Sequence, residues 1–263
     1  MITDDHRRQL SEQGYCVVPG VIDRARAEDV RLRLWAAADE SERRGAATRN
    51  VGLDPNEHNV RVFNLIDLDP VFIDLVRHPA GIDLVQHLIG PGFLISNFTA
   101  NIALPGSGSM SLHSDQSIVI PEPWLAPWTI NIIWCITDVR ADNGATRFIP
   151  GSHRWTCRAD IPADAESLLQ PFEAPAGSII AMDGRTWHTS GCNITADEER
   201  AMLFGYYSND FIRPQQNWNA ALSQATIDGL DDQMRIWLGL PAEANIRLAM
   251  PLLEERSEKL TMA

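Results

Sequence analysis

The chain is predicted to form one domain, mainly β, built around a β-barrel or β-sandwich with flanking helices. Three observations support this fold class. Residues 1–92 carry mostly helical patterning, residues 93–210 contain short strand-like segments separated by turn-rich stretches, and residues 211–263 return to helical patterning. No repeat or linker divides the 263 residues, and that length is enough for one sizeable core.

The N-terminal part is predicted to be mainly helical because its apolar residues recur at helical spacing. Its predicted elements are, in order, a polar helix at 4–13, a short strand and turn at 14–22, a long helix rich in Arg, Glu and Ala at 23–44, a polar loop at 45–60, and two short helices broken at Pro79 and closed by Gly90. These helices are expected to cover one side of the β core.

The central part is predicted to contain six short strands. They are expected at 93–104, 110–116, 129–137, 145–149, 178–182 and 201–208. Two of them, 93–104 and 129–137, carry apolar side chains at even positions and polar side chains at odd positions. The polar set is Asn97, Thr99, Asn101, Thr129 and Asn131. The apolar faces are expected to pack under helices, whereas the polar faces either line a pocket or meet solvent.

Composition excludes several classes of function. The net charge of −13 argues against nucleic acid and against an anionic membrane surface as partners. The longest apolar run, "INIIWCI", is far too short to cross a bilayer, and the first residues lack the apolar stretch of a signal peptide. The four cysteines form no CxxC pair and are interpreted as reduced thiols. A cytoplasmic protein is therefore expected, with a homodimer left open.

The stretch "MSLHSDQ" at 110–116 places a histidine and an aspartate two residues apart. If this stretch is a strand, His113 and Asp115 project from the same face. An imidazole and a carboxylate held in this way form two-thirds of the facial triad that binds Fe(II) in oxygenases. The motif is short, so it is weak evidence when taken alone.

A third metal ligand has to come from elsewhere in the chain. His188, on a polar turn after the predicted strand 178–182, is the best placed of the remaining histidines. A histidine that merely forms hydrogen bonds in a loop is the competing interpretation. Arg200, at the start of the last predicted strand, has two interpretations as well: a surface ion pair with Glu198 or Glu199, or an inward guanidinium that binds a dicarboxylate.

With these residues in place, the sequence resembles the phytanoyl-CoA dioxygenase family of Fe(II)- and 2-oxoglutarate-dependent oxygenases. The resemblance extends from "QGYCVVPGVI" to "YYSND" and includes "HSD", "DVRADNGATRFIPGSHR" at 138–154 and "WHTSG". It implies a double-stranded β-helix, or jelly roll, and a requirement for Fe(II), 2-oxoglutarate and O2. It also implies that His113, Asp115 and His188 are the metal ligands, and that His153 belongs to a structural turn.

The resemblance extends to the cosubstrate. Arg200 matches the arginine that binds the distal carboxylate of 2-oxoglutarate, and Ser190 matches the hydroxyl that assists it. Asn101 and Asn131 fall where polar residues of the family contact the cosubstrate. Because relatives that halogenate replace the carboxylate ligand with a small residue, Asp115 argues against halogenation here.

The substrate is expected to be a small, largely apolar molecule of secondary metabolism. In relatives the loop after the HxD motif forms the pocket wall, which points to Trp124 and Trp128. Phe211 and Trp218, in the C-terminal segment, are expected to close over the same mouth. Hydroxylation is the default outcome, with desaturation, cyclisation and epimerisation left open. The alternative is a non-oxygenase cupin-like isomerase or binding protein, which would lack the arginine or one ligand.

Overall fold

The computed structural model describes residues 2–240, and its centre is a six-stranded antiparallel sheet. The strand order is β1-β7-β4-β9-β3-β2. These strands are β1 (Tyr15–Val18), β2 (Asn59–Val62), β3 (Phe93–Ala103), β4 (Thr129–Cys135), β7 (Ile179–Asp183) and β9 (Arg200–Asn209). The long strands β3 and β9 pair along their whole length, with one irregularity between Ile95 and Asn97.

A smaller sheet lies in the second half of the chain. Its order is β6-β5-β8, and its strands are β5 (Arg147–Phe148), β6 (Gln170–Pro171) and β8 (His188–Thr189). Apolar residues of both sheets meet in one buried cluster, which includes Ile133, Met202, Phe148 and Phe172. Two antiparallel sheets that enclose a common interior match the predicted jelly roll.

Helices cover the outer face of the main sheet. The eight α-helices of the described residues are α1 (Asp4–Gln13), α2 (Arg24–Arg43), α3 (Pro70–Val76), α4 (Pro79–Ile89), α5 (Asp115–Val119), α6 (Trp218–Ala221), α7 (Gln224–Gly229) and α8 (Asp232–Trp237). The largest buried cluster joins apolar residues of the helices other than α5 to the even face of β3 and β4. That face includes Phe98, Ile102, Ile130, Ile132 and Trp134. The predicted packing of this face under helices is confirmed.

Two predicted secondary structures differ from the observed ones. Residues 110–116 do not form a strand: His113 makes an isolated bridge to His188, and Asp115 begins α5 after the N-cap residue Ser114. His188 lies in the short strand β8 and is buried, whereas a polar turn was expected. The edge strand β2 also lies within and just beyond the predicted loop 45–60.

The C-terminal segment corrects a further expectation. Trp218 is buried, and its indole N–H donates to the carbonyl of Ile95 at 2.7 Å, so it belongs to the helix-side core and does not close over the mouth. The predicted helical segment 211–263 is described as far as residue 240, and the rest of it lies outside the described residues. The predicted divisions of the domain after residues 92 and 210 stay predictions. Within residues 2–240, no helix is long and apolar enough to traverse a bilayer, and the cytoplasmic location stays a prediction.

Candidate metal centre and its cavity

His113 and His188 are brought together by their backbones. The N–H of His113 donates to the carbonyl of His188 at 3.0 Å, and the N–H of His188 donates to the carbonyl of His113 at 2.8 Å. The two imidazole rings consequently lie side by side, with their centroids 4.4 Å apart. The pairing replaces the strand geometry that the sequence predicted, and it fixes both rings on one side of the bridge.

Each of these rings has its Nδ1 atom against a backbone carbonyl. The distance is 2.8 Å from His113 Nδ1 to the Ser111 oxygen and 3.0 Å from His188 Nδ1 to the Thr186 oxygen. Because a carbonyl only accepts, Nδ1 carries the hydrogen in both rings, and Nε2 presents a lone pair. Burial also lowers the pKa of His188, although the nearby charge of Asp115 opposes the shift. Both features favour the neutral, metal-binding form of the imidazole.

Asp115 completes the group. Its Oδ1 atom lies 3.8 Å from His113 Nε2 and 3.9 Å from His188 Nε2. One ligand atom from each of the three residues lies within 4.8 Å of the others. Two neutral imidazole nitrogens and one carboxylate oxygen are the donor set of a facial triad, so the residues fit a divalent iron ion. Among the described residues, this is the single His/Cys/Asp/Glu group that fits a metal ion.

A cavity of about 190 Å³ opens onto these three residues. Four of the five polar residues predicted on the odd faces of β3 and β4 line it: Asn97, Thr99, Asn101 and Asn131. The fifth, Thr129, is fully buried and is not part of this lining. The polar faces of the two strands thus enclose an interior pocket, which settles the choice between pocket and solvent.

Arg200 is buried at the opposite end of the cavity. Its Nε donates to the carbonyl of Gly144 at 3.0 Å, and its Nη1 donates to the carbonyl of Asn101 at 3.1 Å and to the Asn101 side-chain oxygen at 3.2 Å. The acids of the alternative interpretation are taken by other arginines, since Glu198 pairs with Arg140 and Glu199 with Arg31. A surface ion pair is therefore not what Arg200 forms.

The Arg200 guanidinium has no ion-pair partner within residues 2–240. Burial, helped by the positive charge of Arg61, lowers its pKa to about 10. Arg61 also lines the cavity, but its charge is matched by the buried carboxylate of Asp54 at 2.6 Å. A buried cation without a partner is costly, and an anion in the adjacent cavity would relieve that cost. The geometry therefore suits a carboxylate.

Ser190 and the two predicted asparagines have different surroundings. Ser190 lines the cavity, and its Oγ accepts from the backbone N–H of Met110 at 2.9 Å, which leaves its own hydrogen available. Asn101 orients Arg200 from its main chain and its side chain. Asn131 donates from Nδ2 to Oδ2 of Asp115. All three line the same cavity, and their contacts with a cosubstrate stay predictions.

The aromatic residues expected at the substrate are not in the cavity wall. Trp124 is buried, packs beside Trp187 and donates from its indole to the Ile120 carbonyl at 2.8 Å. Trp128 and Phe211 pack edge to face with centroids 5.4 Å apart, and Phe211 is 60 % exposed. No described atom of these three residues belongs to the cavity lining.

Sequence reasoning missed several lining residues. Phe204 and Tyr206 line the cavity from β9, and Leu53 and Gln215 line it from segments outside the sheet. A signal for the first two was present, because they share the parity of Arg200 along one strand and so share its inward face. Leu53 and Gln215 come from segments without periodicity, and for them the sequence offers no such signal.

A model of the phytanoyl-CoA dioxygenase family matches residues 10–202 of the chain. A dioxygenase of Aspergillus fumigatus named af480 is 50% identical over 237 residues, which cover 90% of this chain and 77% of the relative. The part of the chain that the family model matches contains all three residues of the candidate metal group.

Solved structures share the fold at lower identity. The carbocyclase SnoK from nogalamycin biosynthesis, described as non-heme and α-ketoglutarate-dependent, aligns with a TM-score of 0.65 at 22% identity and covers 84% of this chain and 91% of its own. HygX from Streptomyces hygroscopicus, with nickel and 2-oxoglutarate bound, aligns with a TM-score of 0.66 at 16% identity and covers 81% of this chain and 90% of its own. At these identities the likeness establishes the jelly-roll fold.

Proposed function

Because the chain belongs to the phytanoyl-CoA dioxygenase family and is an Fe(II)- and 2-oxoglutarate-dependent dioxygenase, we propose that His113, Asp115 and His188 hold its Fe(II) ion. The observation that carries this assignment is the approach of two lone-pair Nε2 atoms and one carboxylate oxygen to within 4.8 Å. Three protein ligands leave coordination positions for 2-oxoglutarate and O2. The bound iron supplies the oxidising power, and the protein positions the reactants.

Arg200 and Ser190 are proposed to bind the distal carboxylate of 2-oxoglutarate. The guanidinium is buried and lacks an acid partner among the described residues, and the free hydrogen of Ser190 faces the same cavity. Charge-assisted hydrogen bonds of this kind are strong where water is excluded. Asn101 assists by holding Arg200 at its Nη1 atom, so that the fork of the guanidinium keeps one orientation.

The substrate is proposed to be a small, largely apolar molecule that reaches the metal from the side of Trp128 and Phe211. These two rings form an exposed aromatic pair beside the segment that follows α5, and α5 carries Asp115. The solved relative SnoK acts in nogalamycin biosynthesis, which supports a role in secondary metabolism for this chain too. Hydroxylation is the default reaction. Trp124 is left out of this proposal because its ring is buried inside a hydrophobic cluster, whereas Trp128 packs against the same cluster and is only partly buried.

The non-oxygenase alternative is disfavoured by the two ends of the cavity. A cupin-like isomerase or a binding protein needs no buried guanidinium for a dicarboxylate and no open facial triad. In this chain Arg200 and the triad line one cavity. A buried guanidinium and a facial triad in one cavity serve the binding of 2-oxoglutarate to iron, whereas a cupin-like isomerase or a binding protein has no use for the pair.

An anaerobic titration tests the proposal. Addition of Fe(II) and then 2-oxoglutarate to the wild-type protein should produce the visible metal-to-ligand charge-transfer band of the chelate. We expect the band to be absent from His188→Ala and unchanged in His87→Ala, since His87 lies on the surface and bonds to Ser11 at 2.9 Å. A full band in the His188→Ala protein would move the third ligand to another residue.

A further inference from the structure

The side chain of Asn131 faces the metal-ligating carboxylate. Its Nδ2 atom donates to Oδ2 of Asp115, while Oδ1 of the same aspartate faces the Nε2 atoms of His113 and His188. Because an ionised carboxylate only accepts hydrogen bonds, the contacting atom of Asn131 has to be its nitrogen. The amide orientation is therefore fixed by chemistry, and the two oxygens of Asp115 have separate tasks.

Asn131 lies within the main sheet, whereas Asp115 lies at the start of a short helix. Asn131 lies in the middle of the main sheet, where β4 pairs it with Met182 on β7 and with Tyr206 on β9. Asp115 is the first residue of α5, a helix of five residues. A carboxylate on such a short helix can rotate, and its rotation would exchange Oδ1 with Oδ2 or turn both toward a metal. The hydrogen bond from the sheet prevents this rotation.

The same amide has only its second Nδ2 hydrogen left for 2-oxoglutarate. One hydrogen of Nδ2 is committed to Asp115, and the Oδ1 atom of Asn131 is buried without a partner among the described residues. The carboxylates and the ketone of 2-oxoglutarate are acceptors only, so they cannot satisfy that oxygen. A donor such as water or a substrate hydroxyl would suit it.

We infer that Asn131 is a positioning residue that holds Asp115 in the orientation in which one oxygen faces the metal, and that it acts on iron affinity and not on 2-oxoglutarate affinity. The inference rests on the proposed function, and it replaces the cosubstrate contact that family resemblance implied for Asn131. Partners of metal ligands commonly change metal affinity by about 10–100-fold when they are removed.

The test compares two asparagines that line the same cavity. Asn131→Leu removes the donor while keeping the size of the side chain, and Asn97→Leu is the matched control, since Asn97 bonds to Gln215 at 3.3 Å and not to a ligand. Fe(II) affinity is measured anaerobically without 2-oxoglutarate. We expect it to fall by about 10–100-fold in Asn131→Leu and to stay unchanged in Asn97→Leu. At saturating Fe(II), the Kd of 2-oxoglutarate should match wild type in Asn131→Leu.

The opposite pattern would overturn the inference: unchanged Fe(II) affinity in Asn131→Leu with weaker 2-oxoglutarate binding identifies a cosubstrate contact. If Asn131→Leu fails to fold, Asn131→Ala removes the same donor without adding a buried apolar group, and the same two affinities decide. The wild-type protein separates this result from failure of the proposed function. If the wild-type protein does not bind Fe(II), the proposed metal centre is wrong. If wild type and Asn131→Leu bind Fe(II) equally well, only the proposed role of Asn131 is wrong.

Discussion

At the scale of single residues, the charges that line the cavity are two arginines and two acids, and one of the acids, Asp115, belongs to the proposed metal group. Asp54 matches Arg61 at 2.6 Å, which leaves the positive charge of Arg200 unmatched within residues 2–240. The cavity thus carries one surplus positive charge at its end away from the metal group. A dicarboxylate bound with one carboxylate at each end would place a negative charge at this position and leave the other for the iron.

This balance predicts the effect of removing the guanidinium. Arg200→Ala should weaken 2-oxoglutarate binding by about 2–5 kcal/mol, because a buried carboxylate then loses its charged partner. The Kd of 2-oxoglutarate for Arg200→Lys should lie between those of wild type and Arg200→Ala, since an ammonium keeps the charge but not the paired donors of the guanidinium. The Kd is measured anaerobically with Fe(II) present. Arg213→Ala is the control, and a loss confined to Arg213→Ala would transfer the role to that exposed residue.

The aromatic pair at the mouth gives a second prediction. Trp128→Ala removes the ring that packs on Phe211 and should reduce or redirect substrate oxidation while leaving substrate-independent decarboxylation of 2-oxoglutarate intact. The reason is that the pair is proposed to contact the substrate and not the cosubstrate, and correct placement of a C–H bond decides productive turnover. Both reactions are followed by succinate release and product mass. Equal loss of both would make Trp128 a structural residue.

At the scale of elements, α4 depends on a histidine cap. His78 Nδ1 accepts from the Ala80 N–H at 3.2 Å, and the ring packs edge-on against Trp134. Burial lowers the pKa of His78 below its ordinary value of 6.5. As the pH falls, the unfolded chain therefore takes up this proton before the folded chain does. The contribution of His78 to stability is kept above pH 6.5 and is lost as the pH falls below it.

A variant isolates this contribution. Asparagine is a good N-cap that does not titrate near neutrality, so His78→Asn should lose less stability than wild type on acidification. The free energy of unfolding is measured with urea above and below pH 6.5. We expect the difference in unfolding free energy between His78→Asn and wild type to change in favour of His78→Asn at acid pH, by up to about 1 kcal/mol, the usual contribution of an N-cap. Parallel pH profiles would contradict the role of the cap.

The elements also show where sequence patterns were sufficient. Strands β3 and β4 and helices α2–α4 were predictable because each has one apolar face repeated over several residues. The stretch 110–116 was not, since its polar run has no periodicity, and the structure uses it as a bridge at His113 followed by a capped helix turn. Trp218 was misplaced for a related reason: a tryptophan signals burial, but the sequence does not say which side of the sheet buries it.

The proposed metal ligands were predicted from a motif whose expected local geometry differs from the observed one. HxD was expected to work by strand alternation, and it works through backbone pairing with His188 and a hydrogen bond from Asn131. Both partners are distant in sequence, so neither contact follows from local pattern. The polar faces of β3 and β4 were predicted, with a pocket and solvent both left open, whereas the contribution of Leu53 and Gln215 to the cavity required the three-dimensional arrangement.

At the scale of the whole molecule, ligand binding should be visible as stability. A ligand at one hundred times its Kd adds about 2.7 kcal/mol, which corresponds to a rise in Tm of about 5–10 °C for a chain of this size. We expect anaerobic Fe(II) to raise the Tm of wild type and of Arg200→Ala, and 2-oxoglutarate to add a further rise in wild type alone. If Fe(II) raised the Tm of the His188→Ala protein as much as that of wild type, the metal would bind elsewhere.

The reciprocal peptide hydrogen bonds between His113 and His188 have a consequence for how the protein is made. The two residues lie on segments separated by most of the jelly roll, so their meeting is a contact of high order that forms late in folding. A nascent chain that has produced only the HxD motif holds two ligands and has no third. The three side chains of the proposed metal centre therefore come together only once the backbones of His113 and His188 have paired.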